Sequence, residues 1–138
     1  MQLSDREWLA RADAAQQGAM LKLLTQGAAE RIAADWDFLA RPGQRAPAGD
    51  WRIWLMMAGR GFGKTRAGAE WVRGIAEADP AARIALVGAS LGEARSVMVE
   101  GESGLLAIAP HWARPAYAPA LRRLTWPNGA VAMLFGAA

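Results

Sequence analysis

The sequence predicts an α/β protein with a mostly parallel sheet, a C-terminal β-hairpin and helices ahead of both. Three observations predict it. Short apolar runs of strand length alternate with longer segments of helical periodicity. A glycine-rich turn at residues 58–65 joins one such strand–helix pair. Near the end, Asn128-Gly129 lies between two apolar runs, a strong hairpin signal.

The elements follow in chain order. Ser4 with Glu7 makes a capping-box pattern, and Trp8, Leu9, Ala12 and Ala15 recur at helical spacing, which predicts a helix from about Ser4. Met20, Leu21, Leu23 and Leu24 suggest a second short helix. Gly27 would break it, and Ala28 to Leu39 would make a third helix carrying Ile32, Trp36 and Leu39. Residues 1–40 therefore read as a helical segment. RPGQRAPAGD, residues 41–50, concentrates Pro and Gly and reads as an irregular connection to a second domain, 41–138. Trp51 to Met57 has the length and apolarity of a buried strand. Lys64 to Ala78 places Ala67, Trp71, Val72 and Ile75 on one helical face and stops before Asp79-Pro80. Arg83 to Val87 is a second buried strand. Gly92 to Val99 reads as helix, and Ser103 to Ala109 as another turn or two before Pro110. Arg122 to Trp126 and Ala130 to Phe135 are the hairpin arms around Pro127, Asn128 and Gly129. No internal repeat is visible.

Composition narrows the function classes. With 53 % apolar residues in 138, the chain can fill one domain core. Cys is absent and His111 is the sole histidine, so disulfides, thiol nucleophiles and Cys/His zinc sites are excluded. No apolar run approaches a membrane span, because Arg52 and Arg60 bracket the longest candidate, WLMMAG. The start, MQLSDREW, carries acidic residues where a signal peptide has a cationic end, so the expected location is the cytoplasm. Residues 1–102 hold 13 Arg or Lys against 13 Asp or Glu, and the net charge of +3 comes from Arg114, Arg122 and Arg123. Such a basic end can favour a polyanion, although three arginines are more often a solvated face.

The chemistry is concentrated in AGRGFGKT, residues 58–65, between the run WRIWLMM and the helix KTRAGAEWVRGIA. A strand, a glycine loop and a helix in that order suit a phosphate. Backbone N–H groups converge in the loop, and the unpaired N–H groups and dipole of the helix start face the anion. Gly59, Gly61 and Gly63 permit the tight path, Arg60 and Phe62 lie between them, Lys64 reaches the outer phosphates, and Thr65 offers a hydroxyl to Mg²⁺. The expected fold is therefore a P-loop NTPase three-layer fold, with a nucleoside triphosphate and Mg²⁺ as ligands. The pattern G-x-x-x-x-G-K-[ST] has Gly where this chain has Ala58, a substitution tolerated if that position has negative φ. The dinucleotide fingerprint G-x-G-x-x-G does not fit, because the glycines are spaced two and two.

Hydrolysis in such enzymes also uses an acidic residue at the end of another strand. None follows here: RIALV runs into Gly88, Ala89 and Ser90, and AVAMLF into Gly136, Ala137 and Ala138. Glu93, Glu100 and Glu102 lie in helical sequence and read as exposed charges. The chain is thus expected to bind a nucleotide and to hydrolyse it poorly. Trp54 and Trp71 fall on apolar faces and read as core packing rather than base-stacking platforms.

DWRIWLMMAGRGFGKTRAGAEWVRGIA, RIALVGASLGEARSVMVEGESGLLAIAP and LTWPNGAVAMLFGAA, taken in that order, resemble the ATPase domain of phage terminase large subunits, particularly those of gene transfer agents and related prophages. The resemblance runs from roughly Trp36 to Ala138. It implies an ATP- and Mg²⁺-dependent motor that drives double-stranded DNA into a capsid, with the portal protein and the small terminase subunit as partners in a bacterial host. It implies that Gly59, Gly61, Gly63, Lys64 and Thr65 form the phosphate loop, that Arg60 stabilises charge on the γ-phosphate, and that Gln44 recognises adenine. It also implies that the Walker B pair, the coupling motif and the nuclease domain would lie beyond Ala138, as in a truncated form. A small P-loop kinase and a non-enzymatic remnant are the alternatives.

Overall fold

The structure is a computed structural model that describes residues 10–23 and 26–138. The chain divides into two compact units, residues 1–40 and 41–138.

The first unit is helical: α1 (Ala14–Leu23), α2 (Gln26–Ala33) and α3 (Trp36–Leu39). Asp13 begins α1 through a reciprocal cap, its carboxylate accepting from Gln16 N at 2.8 Å while Gln16 Oε1 accepts from Asp13 N at 3.0 Å. The cap expected at Ser4 and Glu7, and the apolar positions Trp8, Leu9 and Leu24, lie outside the described residues. Gly27 does not break the chain but sits inside α2. The helix expected over Ala28 to Leu39 is interrupted before Trp36, where the Asp35 side chain accepts from Phe38 N at 3.1 Å and starts α3 afresh.

The second unit opens with a 3-10 turn at Pro42–Gln44 and continues through α4 (Lys64–Ala78), β1 (Arg83–Gly88) and α5 (Leu91–Glu93). The last passes directly into a π-helical turn, Ala94–Val99, in which Glu100 N donates to Arg95 O at 2.9 Å. There follow α6 (Leu105–Ile108), β2 (Ala116–Ala118), β3 (Arg123–Thr125) and β4 (Val131–Gly136). The four strands form one mixed sheet in the order β1-β4-β3-β2. β1 and β4 are parallel, with Arg83 opposite Val131 and Gly88 opposite Gly136; β4 with β3, and β3 with β2, are antiparallel.

Each element has a local cause. Helix α4 puts Ala69, Val72 and Ala76 into the core along one stripe, the period of an amphipathic helix; this face is turned from the one expected through Ala67, Trp71, Val72 and Ile75, for Ala67 is buried outside the core cluster and Trp71 is exposed. The β3–β4 hairpin turns at Gly129, whose φ is +103°, with Ala130 N donating to Asn128 Oδ1 at 3.1 Å. Gly88 and Gly136, register partners at the ends of β1 and β4, let the Ser90–Ala94 backbone pass close over them. A Cβ on Gly88 would meet Ala94 N at 2.8 Å, and one on Gly136 would meet Leu91 N at 2.8 Å. The core gathers Val72 and Ala76 of α4, Leu86 of β1, Leu105 and Ile108 of α6, and Leu124, Trp126, Ala132 and Leu134 around the hairpin.

Two expectations are corrected. Trp51–Met57 is not a strand: it runs irregularly, with Ile53, Leu55 and Met57 86, 74 and 84 % exposed. An apolar run states that burial is favourable, but a strand also needs a neighbour to pair its backbone groups, and among the described residues no strand is paired with it. Trp54 and Trp71 are likewise not core residues. They form a three-ring cluster with Trp51 beside α4, centroids 6.0 to 6.3 Å apart, and Trp71 is 40 % exposed. Among the described residues, the tryptophan that enters the core is Trp126.

Candidate functional site: the glycine loop at the start of α4

Residues 58–63 turn the chain into α4, and the turn is made by glycine. Gly61 and Gly63 have φ of +83° and +88°, a region costly for other residues, and Gly63 is the N-cap of the helix. Phe62 N donates to Gly59 O at 3.3 Å, closing the turn, and Ala67 N donates to Gly63 O at 2.9 Å, opening the helix ladder. No acidic residue lies in the first turn of α4, so the positive end of its dipole is not offset locally. Arg122 is the sole non-glycine residue of positive φ among the described residues, so Ala58 occupies its position without backbone strain.

Lys64 ties the two ends of the loop together. Its ammonium donates to Ala58 O and, at 2.9 Å, to Gly59 O. Arg60, Lys64 and Thr65 are all exposed. Lys64 and Thr65 border a cleft of about 650 Å³ whose other walls include Val72 and Trp71 of α4, Leu86 and Val87 of β1, and Leu105. The loop thus opens beside the carboxyl-terminal half of β1, the side of a parallel pair on which ligands bind in α/β sheets.

The predicted residues Gly59, Arg60, Gly61, Phe62, Gly63, Lys64 and Thr65 are therefore brought together on one turn. Gln44, 18 residues before Phe62, joins them: it is 7 % exposed and its Nε2 donates to Phe62 O at 2.9 Å. Sequence reasoning missed Arg41, whose guanidinium donates to the same carbonyl and sits 5.0 Å from the centre of the Phe62 ring. The signal available was the spacing Arg41-x-x-Gln44 around Pro42, which builds a 3-10 turn with both side chains on one side. Glu93, Glu100 and Glu102 are exposed, and Glu100 pairs with Arg95 at 3.1 Å. Among the described residues no group of three or more His, Cys, Asp or Glu side chains could hold a metal ion, and no helix is long and apolar enough to cross a membrane.

Comparison with known proteins gives one family. No curated protein and no solved structure matches the chain. The family model described as terminase large subunit, T4likevirus-type, N-terminal, matches residues 55–138, which include Gly59 to Thr65, the whole sheet and the core. With more than half of its length matched, the chain belongs to the phage terminase large subunit family and is a component of the phage DNA-packaging machinery.

Proposed function

We propose that this chain is the ATP-binding part of a packaging motor, and that residues 58–65 hold the triphosphate with Mg²⁺. The observation that carries this reading is the loop itself: a positive-φ glycine turn delivers the N–H groups of an uncapped helix start, with an ammonium and a hydroxyl beside them, to the strand-end side of a parallel pair. These donors suit an anion with several oxygens. Thr65 would offer its hydroxyl oxygen to Mg²⁺. When bound, Mg²⁺ neutralises charge on the outer phosphates. Lys64 spans the loop mouth and is placed to exchange its carbonyl contacts for phosphate oxygens. Arg60, exposed within the turn, is the guanidinium nearest in sequence to the phosphates and stabilises charge on the γ-phosphate.

Gln44 contributes to nucleotide binding from the loop's back. Double-stranded DNA, the portal and the small terminase subunit are the partners this reading assigns, and the bacterial host cytoplasm is its place. We assign the chain to the gene-transfer-agent and prophage branch, and we read it as a nucleotide binder whose own residues turn ATP over slowly or not at all.

Calorimetric titration of the folded chain with Mg-ATP tests the proposal. Binding is expected, and Lys64→Ala should weaken it at least about tenfold, the scale of a lost charge-assisted contact. Absence of binding by the folded wild-type chain would overturn the reading.

A further inference from the structure

The structure assigns to Arg41 and Gln44 a positioning role: together they clamp the Phe62 carbonyl and so hold the glycine loop in its anion-receiving shape. This inference rests on the phosphate-loop reading above and specifies how that loop is kept in place.

The geometry is closed on itself. Arg41 N donates to Gln44 Oε1 at 3.0 Å, and Arg41 Nε reaches the same oxygen at 3.4 Å. The amide's other end, Nε2, donates to Phe62 O at 2.9 Å, and the Arg41 guanidinium donates to that carbonyl as well. One backbone oxygen at the turn of the loop therefore accepts from two side chains anchored on one 3-10 turn. The same guanidinium lies against the Phe62 ring. Gly43 and Gly63 make the approach possible. A Cβ on Gly43 would meet the Phe62 ring at 3.1 Å, and one on Gly63 would lie 2.5 Å from Gln44 Nε2.

A glycine-rich loop has the greatest backbone entropy to lose on becoming ordered. Holding its carbonyl from outside removes part of that loss before any ligand arrives, which is preorganisation. A carbonyl turned toward Arg41 and Gln44 also faces away from the anion, and leaves the loop's N–H groups to face it. The amide oxygen of Gln44 is occupied by Arg41, and its nitrogen is directed at Phe62. Its contribution to affinity therefore acts through the loop and is the same whatever base the nucleotide carries.

The test uses the full chain and Gln44→Glu, which keeps the shape and the oxygen facing Arg41 but replaces the donor to Phe62 O with an acceptor. Arg41→Lys keeps the charge and removes the forked donor. Hydrogen exchange without ligand is expected to quicken in both variants at Phe62 and Ala67, whose N–H groups are bonded to Gly59 O and Gly63 O, with the core strands β1 and β4 unchanged. Unchanged exchange in the loop would overturn the assignment. Titration with Mg-ATP and with Mg-tripolyphosphate, which has no base, supplies the second readout. Both ligands should weaken by a similar factor of about ten in Gln44→Glu, the scale of one or two hydrogen bonds. Loss of ATP affinity alone, with tripolyphosphate binding intact, would make Gln44 a reader of adenine and overturn the inference. Faster loop exchange together with failure of the wild-type chain to bind either ligand would sink the phosphate reading while leaving the clamp standing.

Discussion

Gly63 carries two separate demands, a φ of +88° and a space already occupied to within 2.5 Å by Gln44 Nε2. Gly63→Ala must therefore either strain the turn or push Gln44 off Phe62 O. Each costs about 1 to 3 kcal/mol, so a fall in thermal midpoint and a loss of triphosphate affinity should appear together, by calorimetry and titration. Ala58 marks the opposite case. Its negative φ means that Ala58→Gly relieves no strain, and the change should leave affinity within about twofold while lowering stability by a few tenths of a kcal/mol through chain entropy. At this scale the sequence was readable where contacts are local, since Gly59 to Thr65 are neighbours and fold as one glycine turn into α4. Gln44 was noticed through a family resemblance, but its bond to Phe62 O spans 18 residues, and Arg41 spans 21. Contacts of that separation leave no periodic trace in a single chain.

Helix α4 holds the loop at its start and the core along its length, and its polar side is a ladder of alternating charge. Glu70 takes Arg66 Nη2 at 2.9 Å and Arg73 Nη1 at 3.0 Å, and Arg73 Nε reaches Glu77 at 2.9 Å. The Glu70 side chain is only 2 % exposed and that of Arg73 10 %. A buried pair adds little over an apolar one, but removing one member leaves the other charge in a poor solvent. Glu70→Ala should thus cost about 3 kcal/mol by denaturant unfolding, and Glu70→Ala with Arg73→Met together should cost less than Glu70→Ala alone. At the other end of α4, Asn128 donates to Ala76 O at 2.7 Å and accepts from Ala130 N at 3.1 Å, fastening the hairpin turn to the helix C-terminus. Asn128→Ala removes both bonds and should destabilise by about 2 kcal/mol.

The elements legible in advance were those whose own residues decide them. Lys64–Ala78 has a strong helical stripe, Arg83–Gly88 is a short apolar run between turns, and Asn128-Gly129 fixes a hairpin. The π-helical turn at Ala94–Val99 escaped because its apolar spacing also fits an α-helix. The three-residue β2 escaped because its place in the sheet is set by pairing with β3, not by its composition.

At the scale of the molecule, the second unit has an edge strand and a run of exposed apolar side chains. β1 lies at the end of the strand order β1-β4-β3-β2, so among the described residues one side of its backbone has no strand beside it. Val87 at its end is 52 % exposed, and the segment 51–57 shows Ile53, Leu55 and Met57 to solvent. A strand edge and exposed apolar side chains are both templates for association. Because these three side chains are already out of the core, they contribute little to the fold, and replacing them should not unfold it. Ile53→Ser, Leu55→Ser and Met57→Ser combined leaves the net charge unchanged. The triple variant should lower concentration-dependent light scattering severalfold while holding the thermal midpoint within about 3 °C, the reach of exposed substitutions in a domain of this size. A large fall in the midpoint would mean that the segment is packed in solution. Unchanged scattering would shift the source of association to the β1 edge, where Val87→Lys should then reduce it.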